Sequence, residues 1–207
     1  MADHDQDADA ARRGFLTKPT LRGKRVLLRP VTVDDAPALM PIFRDAETSR
    51  LTGHHGGSER DEARIHAWYA TRRDQDDRLD LAVVDQTTGN VIGEAVLNEW
   101  DPGNESCNFR ICLVPGVHGH GSGTEATRLI VGYGFESLRL HRISLEVYAF
   151  NPRARRVYEK VGFVPEGVLR HALLWDGEWV DAAVMSILAP EWFRHRGHPE
   201  ATAHAPA

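Results

Sequence analysis

The sequence predicts an α+β (α/β) fold built on one twisted, mostly antiparallel sheet. Residues 88–90 (Thr-Gly-Asn) and 176–177 (Asp-Gly) each separate two strand-like segments, which is the pattern of a β-hairpin. Residues 105–115 and 142–150 are also strand-like, but a helical segment lies between them. A strand–helix–strand crossover joins parallel strands, so we expect one parallel pair within the otherwise antiparallel sheet.

Both ends of the chain are expected to be flexible and to flank a single domain. Residues 1–18 are polar and rich in Ala and Asp, which is typical of a flexible arm. Residues 194–207 have a similar composition and are expected to form a flexible tail. The domain then spans residues 19–193, which is long enough to bury a substantial core.

The first elements are predicted from proline positions and a helix-capping pattern. Residues 25–31 form a strand that ends at Pro30. Thr32 or Asp34 then caps a helix, which Pro41 should kink or break because proline lacks the N–H group.

A second helix and three strands follow. Residues 58–61 match a capping box, so a helix is expected from there to about residue 73. Strands at 79–85, 91–97 and 105–115 complete a meander.

The second half of the chain alternates helices and strands. A helix begins near residue 124 and ends near 138, and residues 142–150 form the next strand. Asn151 and Pro152 are a strong helix start, and Gly162 is a typical residue just after a helix. Two long strands, at residues 163–175 and 178–188, end the domain, giving about seven strands and about four helices in all.

Composition and charge exclude several classes of function. A net charge of −5 does not predict a nucleic-acid-binding protein, and no apolar run approaches the ~20 residues of a membrane span. Cys107 and Cys112 lie in opposite phase on one strand, so a disulfide between them is not expected. Few cysteines and an acidic N-terminus without an apolar signal region favour a cytoplasmic protein.

The glycine-rich turn at residues 119–123 is a candidate diphosphate cradle. It precedes a helix, and free N–H groups at a helix N-terminus bind anions. No lysine follows these glycines, which argues against a nucleoside triphosphate site, and the spacing GxGxG argues against a dinucleotide site. Of the three ligand classes considered for this turn, a diphosphate-bearing acyl carrier such as coenzyme A remains.

Two motifs resemble the GCN5-related N-acetyltransferase (GNAT) family, and within it the Rim-type branch that acetylates the N-termini of ribosomal proteins. The first is HGHGSGTEA, residues 118–126, which is similar to the acetyl-CoA turn of the family. The second is LHRISLEVYAFNPRARRVYEKVGF, residues 140–163. The resemblance covers about residues 24–190, and both motifs occur in the expected order.

The resemblance implies a GNAT-type sheet that is splayed between the strands 105–115 and 142–150. Acetyl-CoA is the implied co-substrate, without a metal, and a homodimer is the implied assembly. The residues implied to contact acetyl-CoA are Ile111, Leu113, Val114, Gly119, His120, Gly121, Ser122, Gly123, Thr124, Asn151, Ala154, Arg155 and Tyr158.

The implied reaction is direct acetyl transfer to a primary amine. Tyr158 is the implied proton donor to the leaving thiolate, and a strand N–H group is the implied donor to the developing oxyanion. Glu94 and Glu105 are the candidate bases, with Glu99 and Asp101 in a neighbouring turn as alternatives. The acceptor stays open among a protein N-terminal amine, an amino sugar, an antibiotic and a polyamine.

Three positions depart from the family pattern. Asn108 stands where relatives often have a glutamate, Gly116 where the cradle often has Arg or Gln, and Ala154 where the Rim branch commonly has Ser. These departures keep open the alternative of a non-catalytic acyl-CoA-binding module or sensor. His118 and His120 flank the cradle, and we expect exposed turn residues there, not a metal site.

Overall fold

The computed structural model describes residues 11–55, 62–117 and 119–196 of the chain. The strands are β1 (Leu21–Arg22), β2 (Val26–Pro30), β3 (Leu79–Asp85), β4 (Val91–Asp101), β5 (Ser106–Leu113), β6 (Arg142–Tyr148), β7 (Val164–Trp175) and β8 (Glu178–Leu188). The helices are α1 (described over 11–17), α2 (Ala36–Arg44), α3 (Ala46–Leu51), α4 (Glu62–Ala70), α5 (Ser122–Glu136), α6 (Pro152–Val161) and α7 (Ala189–His195).

The described strands form one sheet in the order β1-β2-β3-β4-β5-β6-β8-β7. Every neighbouring pair is antiparallel except β5 and β6, which are parallel. The predicted fold class is therefore confirmed. The sheet has one strand more than expected, because the two-residue strand β1 pairs with β2.

The parallel strands β5 and β6 pair over a short length and then separate. The paired residues are Ser106 with Arg142, Cys107 with Ile143, and Asn108 with Ser144. The remaining residues of both strands, 109–113 and 145–148, have no partner across this boundary. The sheet is thus splayed open where the two strands end, as the family resemblance implies.

Helices cover both faces of the sheet, and a separate core lies on each. The larger core joins buried side chains of the sheet to Ile130 of α5, Val161 of α6 and Trp192 of α7. The smaller core lies between the sheet and helices α2 and α4. Cys107 belongs to the larger core and Cys112 packs against the smaller one, and both are free thiols, as expected from their opposite phase.

The structure differs from the predicted N-terminal arm at residues 11–18. Residues 11–17 form α1, and the side chain of Phe15 is fully buried in the larger core. Lys18 is also buried, and its Nζ donates to the carbonyls of Gln75 and Arg78. The rest of that arm, residues 1–10, lies outside the described residues.

Other predicted boundaries shift by a few residues. Helix α2 continues through Pro41 and ends at Arg44, so the predicted break occurs one turn late. Arg194 and His195, assigned to the tail, belong to α7. The predicted capping box at residues 58–61 and the tail from 197 onward lie outside the described residues. No helix in the described part of the chain is long and apolar enough to cross a membrane.

Candidate active site

The glycine turn before α5 combines left-handed glycines with backbone N–H groups that lack acceptors among the described residues. Gly119 and Gly121 adopt left-handed backbone conformations, with φ of 94° and 83°, which side chains other than glycine rarely allow. Within the described part of the chain, no carbonyl or side chain accepts a hydrogen bond from the N–H groups of residues 119–124. These are the groups that a bound anion would satisfy.

Contacts within α5 and with β5 hold the turn in place. The hydroxyl of Thr127 donates to the carbonyl of Gly123 at 2.7 Å, and the side chain of Ser122 is buried. A Cβ atom on Gly123 would lie 3.3 Å from Cδ1 of Leu113, so the helix start packs directly on the end of β5. His120 is exposed, as predicted, and His118 lies outside the described residues.

The end of β5 offers backbone groups to the gap between β5 and β6. The N–H of Val114 donates to the carbonyl of Ile92 at 2.9 Å, so Val114 faces β4. Antiparallel ladders alternate, and therefore Ile111 and Leu113 direct their backbone groups towards the gap. The predicted contacts at Ile111 and Leu113 fit this geometry. The N–H of Val114 already donates to Ile92, so the predicted contact at Val114 stays a prediction.

Helix α6 begins at the splayed end of the sheet. Asn151 caps it, since its Oδ1 accepts from the N–H of Ala154 at 3.1 Å. Ala154 is half-buried against the larger core. Arg155 is exposed and forms an ion pair with Glu159 one turn later, at 2.9 Å. The capping role of Asn151 explains why an asparagine precedes Pro152, independently of any ligand.

Tyr158 is a buried aromatic of α6 with a hydroxyl that has no partner among the described residues. Its ring packs edge-on against Phe109, with centroids 6.1 Å apart, and lies 5.9 Å from Phe163. Burial raises the pKa of the Tyr158 hydroxyl above its usual value, so the group stays protonated at neutral pH. A protonated hydroxyl of this kind can donate to an anion but cannot serve as a base.

Glu94 of β4 is hydrogen-bonded to a tyrosine that the sequence did not single out. The hydroxyl of Tyr69 on α4 donates to Oε2 of Glu94 at 2.8 Å. Burial raises the pKa of the Glu94 carboxyl above its usual value, although the bond from Tyr69 opposes part of that rise. A carboxyl with a pKa moved towards neutrality is suited to accept a proton from an amine.

Glu94 lies on the face of the sheet that carries the smaller core, and Tyr158 belongs to the larger core. Glu94 lies directly opposite Cys112 across the β4–β5 pair. Burial, with the charge of Glu94 as the next cause, raises the pKa of Cys112 to about 12. Tyr158 packs in the larger core, whereas Cys112 packs against the smaller one.

Glu105, the other predicted base, lies away from the glycine turn. It lines a cavity of about 430 Å³ together with Glu136 and Leu140, at the C-terminal end of α5. The glycine turn is at the N-terminal end of this 15-residue helix, which is about 22 Å long. Asp101 lies at the same end of the sheet as Glu105, since it pairs with Ser106. Glu105 therefore lies at the opposite end of α5 from the glycine turn, and its role as a base stays a prediction.

Asn108 is hydrogen-bonded to the neighbouring strand β4. Its Nδ2 donates to Oδ1 of Asn98 across the β4–β5 pair at 3.2 Å. This pair of amides lies between Glu94 and the closed end of the sheet. Among the described residues, no group of three or more His, Cys, Asp or Glu side chains is arranged to hold a metal ion.

Aromatic side chains surround the end of β6 on the side of α3. The Arg50 guanidinium lies 4.6 Å from the centre of the Phe150 ring, and Tyr148 lies beside Phe150 at 5.6 Å. His55, which the sequence left as a loop residue, stacks on Trp175 at 5.3 Å. Arg50 of α3 therefore lies against the residues that follow β6, and the loop after α3 reaches the end of β7.

Comparisons with known proteins agree with this geometry. The family description "Acetyltransferase (GNAT) domain" matches residues 25–164. A candidate N-acetyltransferase of Bacillus subtilis, YjcK, is 30% identical over 177 residues, covering 83% of this chain and 98% of that protein. A candidate ribosomal N-acetyltransferase of the same organism, YdaF, is 31% identical over 104 residues, covering 50% of this chain and 57% of that protein.

The fold is also that of a solved enzyme. The crystal structure of spermidine N-acetyltransferase from Vibrio cholerae, in complex with CoA and spermine, superposes with a TM-score of 0.75. The sequence identity is 24%, and the match covers 83% of this chain and 99% of that one. At this sequence identity, the similarity shows a shared fold and does not by itself show a shared substrate.

Proposed function

The chain belongs to the GNAT family of N-acetyltransferases, and from this premise we propose that it transfers an acetyl group from acetyl-CoA directly to a primary amine. The observation that carries the proposal is the row of N–H groups at residues 119–124 without acceptors in the described chain, beside the gap between β5 and β6. A diphosphate needs such donors, and an extended pantetheine arm needs a strand edge.

The residues of the site fit this co-substrate. The cradle would hold the diphosphate. A Cβ atom at Gly116 or Gly119 would meet no other atom within 4 Å, so there is room for a ligand beside these two glycines. The backbone groups of Ile111 and Leu113 would pair with the amides of the arm, as a further strand does. Acetyl-CoA supplies the activated acetyl group as a thioester.

Glu94 and Tyr158 are assigned opposite roles in proton transfer. Glu94 accepts a proton from the amine, directly or through water, because only the neutral amine attacks a carbonyl carbon. Tyr158 donates a hydrogen bond to the departing sulfur, which its raised pKa allows at neutral pH. A backbone N–H at the edge of β5 stabilises the negative charge that develops on the carbonyl oxygen.

The acceptor we propose is a protein N-terminal amine, with a polyamine as the alternative. The likeness to a candidate ribosomal N-acetyltransferase supports the first, and the fold of an enzyme crystallised with spermine supports the second. The aromatic side chains of Tyr148, Phe150 and Trp175 would line the acceptor side.

The test is release of CoA thiol from acetyl-CoA in the presence of a panel of amines. The panel contains peptides with free and blocked N-termini, spermidine and an amino sugar. Release with the free peptide but not the blocked one supports the proposal, and intersecting initial-velocity lines support a ternary complex. Tight CoA binding without release for any amine would instead favour a non-catalytic acyl-CoA-binding module.

We also propose a cytoplasmic homodimer. The two cysteines are free thiols, which fits a reducing compartment. The edge strand β7 and its partner β8 expose apolar side chains, with Val168 62% and Trp179 58% exposed. Light scattering of the purified protein gives the mass, and a monomer at micromolar concentration would contradict the dimer.

A further inference from the structure

Arg25 lies at the glycine turn although it is almost a hundred residues away in the sequence. A Cβ atom on Gly121 would lie 3.9 Å from Nε of Arg25, and no other atom would be within 4 Å. The Arg25 side chain is exposed, and no acid pairs with its guanidinium within the described part of the chain. A guanidinium without a carboxylate partner at an anion cradle is available to a ligand.

Glu125, in the first turn of α5, fixes the backbone that carries Arg25. Its carboxylate accepts from the N–H groups of Lys24, Arg25 and Val26 at 2.7, 2.8 and 3.0 Å. The carbonyl of Arg25 accepts from the N–H of Gln86 at 2.8 Å. Hydrogen bonds therefore hold both the N–H and the carbonyl of Arg25. The helix that presents the cradle N–H groups therefore also positions Arg25.

Gly23 allows this close approach. A Cβ atom at this position would lie 2.7 Å from Cδ of Glu125, closer than real side chains come. The Glu125 carboxylate of α5 can therefore lie directly against the backbone before β2.

We propose that Arg25 is the cation of the diphosphate site and that Glu125 is its positioning residue. The inference rests on the proposed binding of acetyl-CoA. The backbone N–H groups of the cradle are neutral donors, so they bring no full positive charge to a diphosphate. Arg25, which directly precedes β2, supplies a positive charge, and its planar guanidinium can donate to two phosphate oxygens.

Calorimetric titration of the purified protein with CoA tests the assignment. Arg25→Ala is expected to weaken CoA binding about 10- to 100-fold, the range for one charge-assisted contact. Lys24→Ala is the matched control, because it removes the same charge one residue away and is expected to bind like the wild type. Arg25→Lys keeps the charge and is expected to restore part of the affinity.

Truncated ligands locate the phosphate that Arg25 contacts. Dephospho-CoA lacks the 3′-phosphate and keeps the diphosphate, so the loss in Arg25→Ala should be the same for dephospho-CoA as for CoA. Pantetheine has no phosphate, and the variant should bind it like the wild type. A loss that disappears with dephospho-CoA would place Arg25 at the 3′-phosphate and overturn the assignment.

The role of Glu125 is tested by a double-mutant cycle. Glu125→Gln should weaken CoA binding in the wild type but have little further effect in Arg25→Ala, because it acts through Arg25. Equal losses in both backgrounds would mean that Glu125 supports the fold alone. If the wild type fails to bind CoA, the proposed function fails. If the wild type binds CoA and Arg25→Ala matches Lys24→Ala, the role of Arg25 fails by itself.

Discussion

At the scale of single residues, the pairing of Glu94 with Tyr69 separates the proposed base from other carboxylates. Glu94 is half-buried, and its carboxylate accepts from the hydroxyl of Tyr69, which is itself buried. Burial raises its pKa, so the folded protein holds a proton on Glu94 at a higher pH than the unfolded chain does. Ionised Glu94 therefore lowers stability as pH rises through that pKa, which is expected of a functional group.

Replacing Glu94 by Gln should abolish base catalysis without harming the fold. We expect kcat/KM to fall by about 10²-fold or more, since a positioned base contributes about this much. The rise of activity with pH on the acidic side should disappear, because that limb reports ionisation of Glu94. Tyr69 can still donate to the Gln amide oxygen, so the unfolding free energy at pH 7 should be unchanged or higher. Retained activity with an unchanged pH profile would exclude Glu94 as the base.

Tyr69→Phe tests the same pair from the other side. Removing the hydroxyl removes a bond that stabilises the carboxylate, so the pKa of Glu94 should rise further. The acidic limb of the kcat/KM profile should therefore move to higher pH, while the plateau at high pH changes little. An acidic limb that stays in place would mean that another group controls it.

Tyr158→Phe should slow the chemical step and leave CoA binding intact. We expect kcat to fall by about 10²-fold, because the departing thiolate loses its donor. Tyr133→Phe is the matched control: it also removes one partly buried hydroxyl, which donates to the carbonyl of Gly14, far from the gap. Equal effects of the two variants on kcat would contradict a catalytic role for Tyr158.

At the scale of elements, the glycine turn and the splayed strands form a site because each leaves backbone groups without partners. The cradle could be predicted from the sequence, since glycine spacing before a helix is a local signal. The gap could be expected only through the family resemblance, because pairing between β5 and β6 stops after three residues for reasons that no local pattern encodes.

The limits of sequence reasoning at this scale have physical causes. Glu94 and Glu105 are both strand carboxylates by pattern, and only the sheet register places Glu94 opposite Cys112 and Glu105 beside the closed end of the β5–β6 pair. Arg25 and Tyr69 were missed because their partners, Glu125 and Glu94, are distant in sequence. Such contacts depend on tertiary packing and leave no periodic signal.

The conformation of Gly121 should matter for CoA affinity beyond its effect on stability. Ala in a left-handed conformation costs roughly 1–2 kcal/mol, so Gly121→Ala should be less stable or should re-aim the turn. Gly177→Ala is the matched control, because Gly177 has φ of 84°, has no neighbouring atom within 4 Å, and lies in the β7–β8 turn. Titration should show weaker CoA binding for Gly121→Ala alone, and equal affinity of the two variants would contradict the cradle.

At the scale of the whole molecule, the N-terminal segment belongs to the folded domain. Residues 11–18 lack a long apolar period, so composition alone predicted an arm. In the structure, Phe15 is fully buried and packs against Trp100 with ring centroids 5.1 Å apart. The hydroxyl of Tyr133 donates to the carbonyl of Gly14, and Arg12 pairs with Asp76. Helix α1 thereby joins α5 to β4 and to the loop before β3.

Phe15→Ala should destabilise the whole domain. Truncating a fully buried phenylalanine leaves a cavity and costs about 3–5 kcal/mol, a large share of the stability of a single domain. Leu16→Ala is the matched control from the same helix, because Leu16 is 51% exposed and should change stability by less than about 1 kcal/mol. Urea unfolding of both variants measures the difference. If Phe15→Ala unfolds at the same urea concentration as Leu16→Ala, then α1 adds nothing to the core and the domain begins where the sequence predicted, near residue 19.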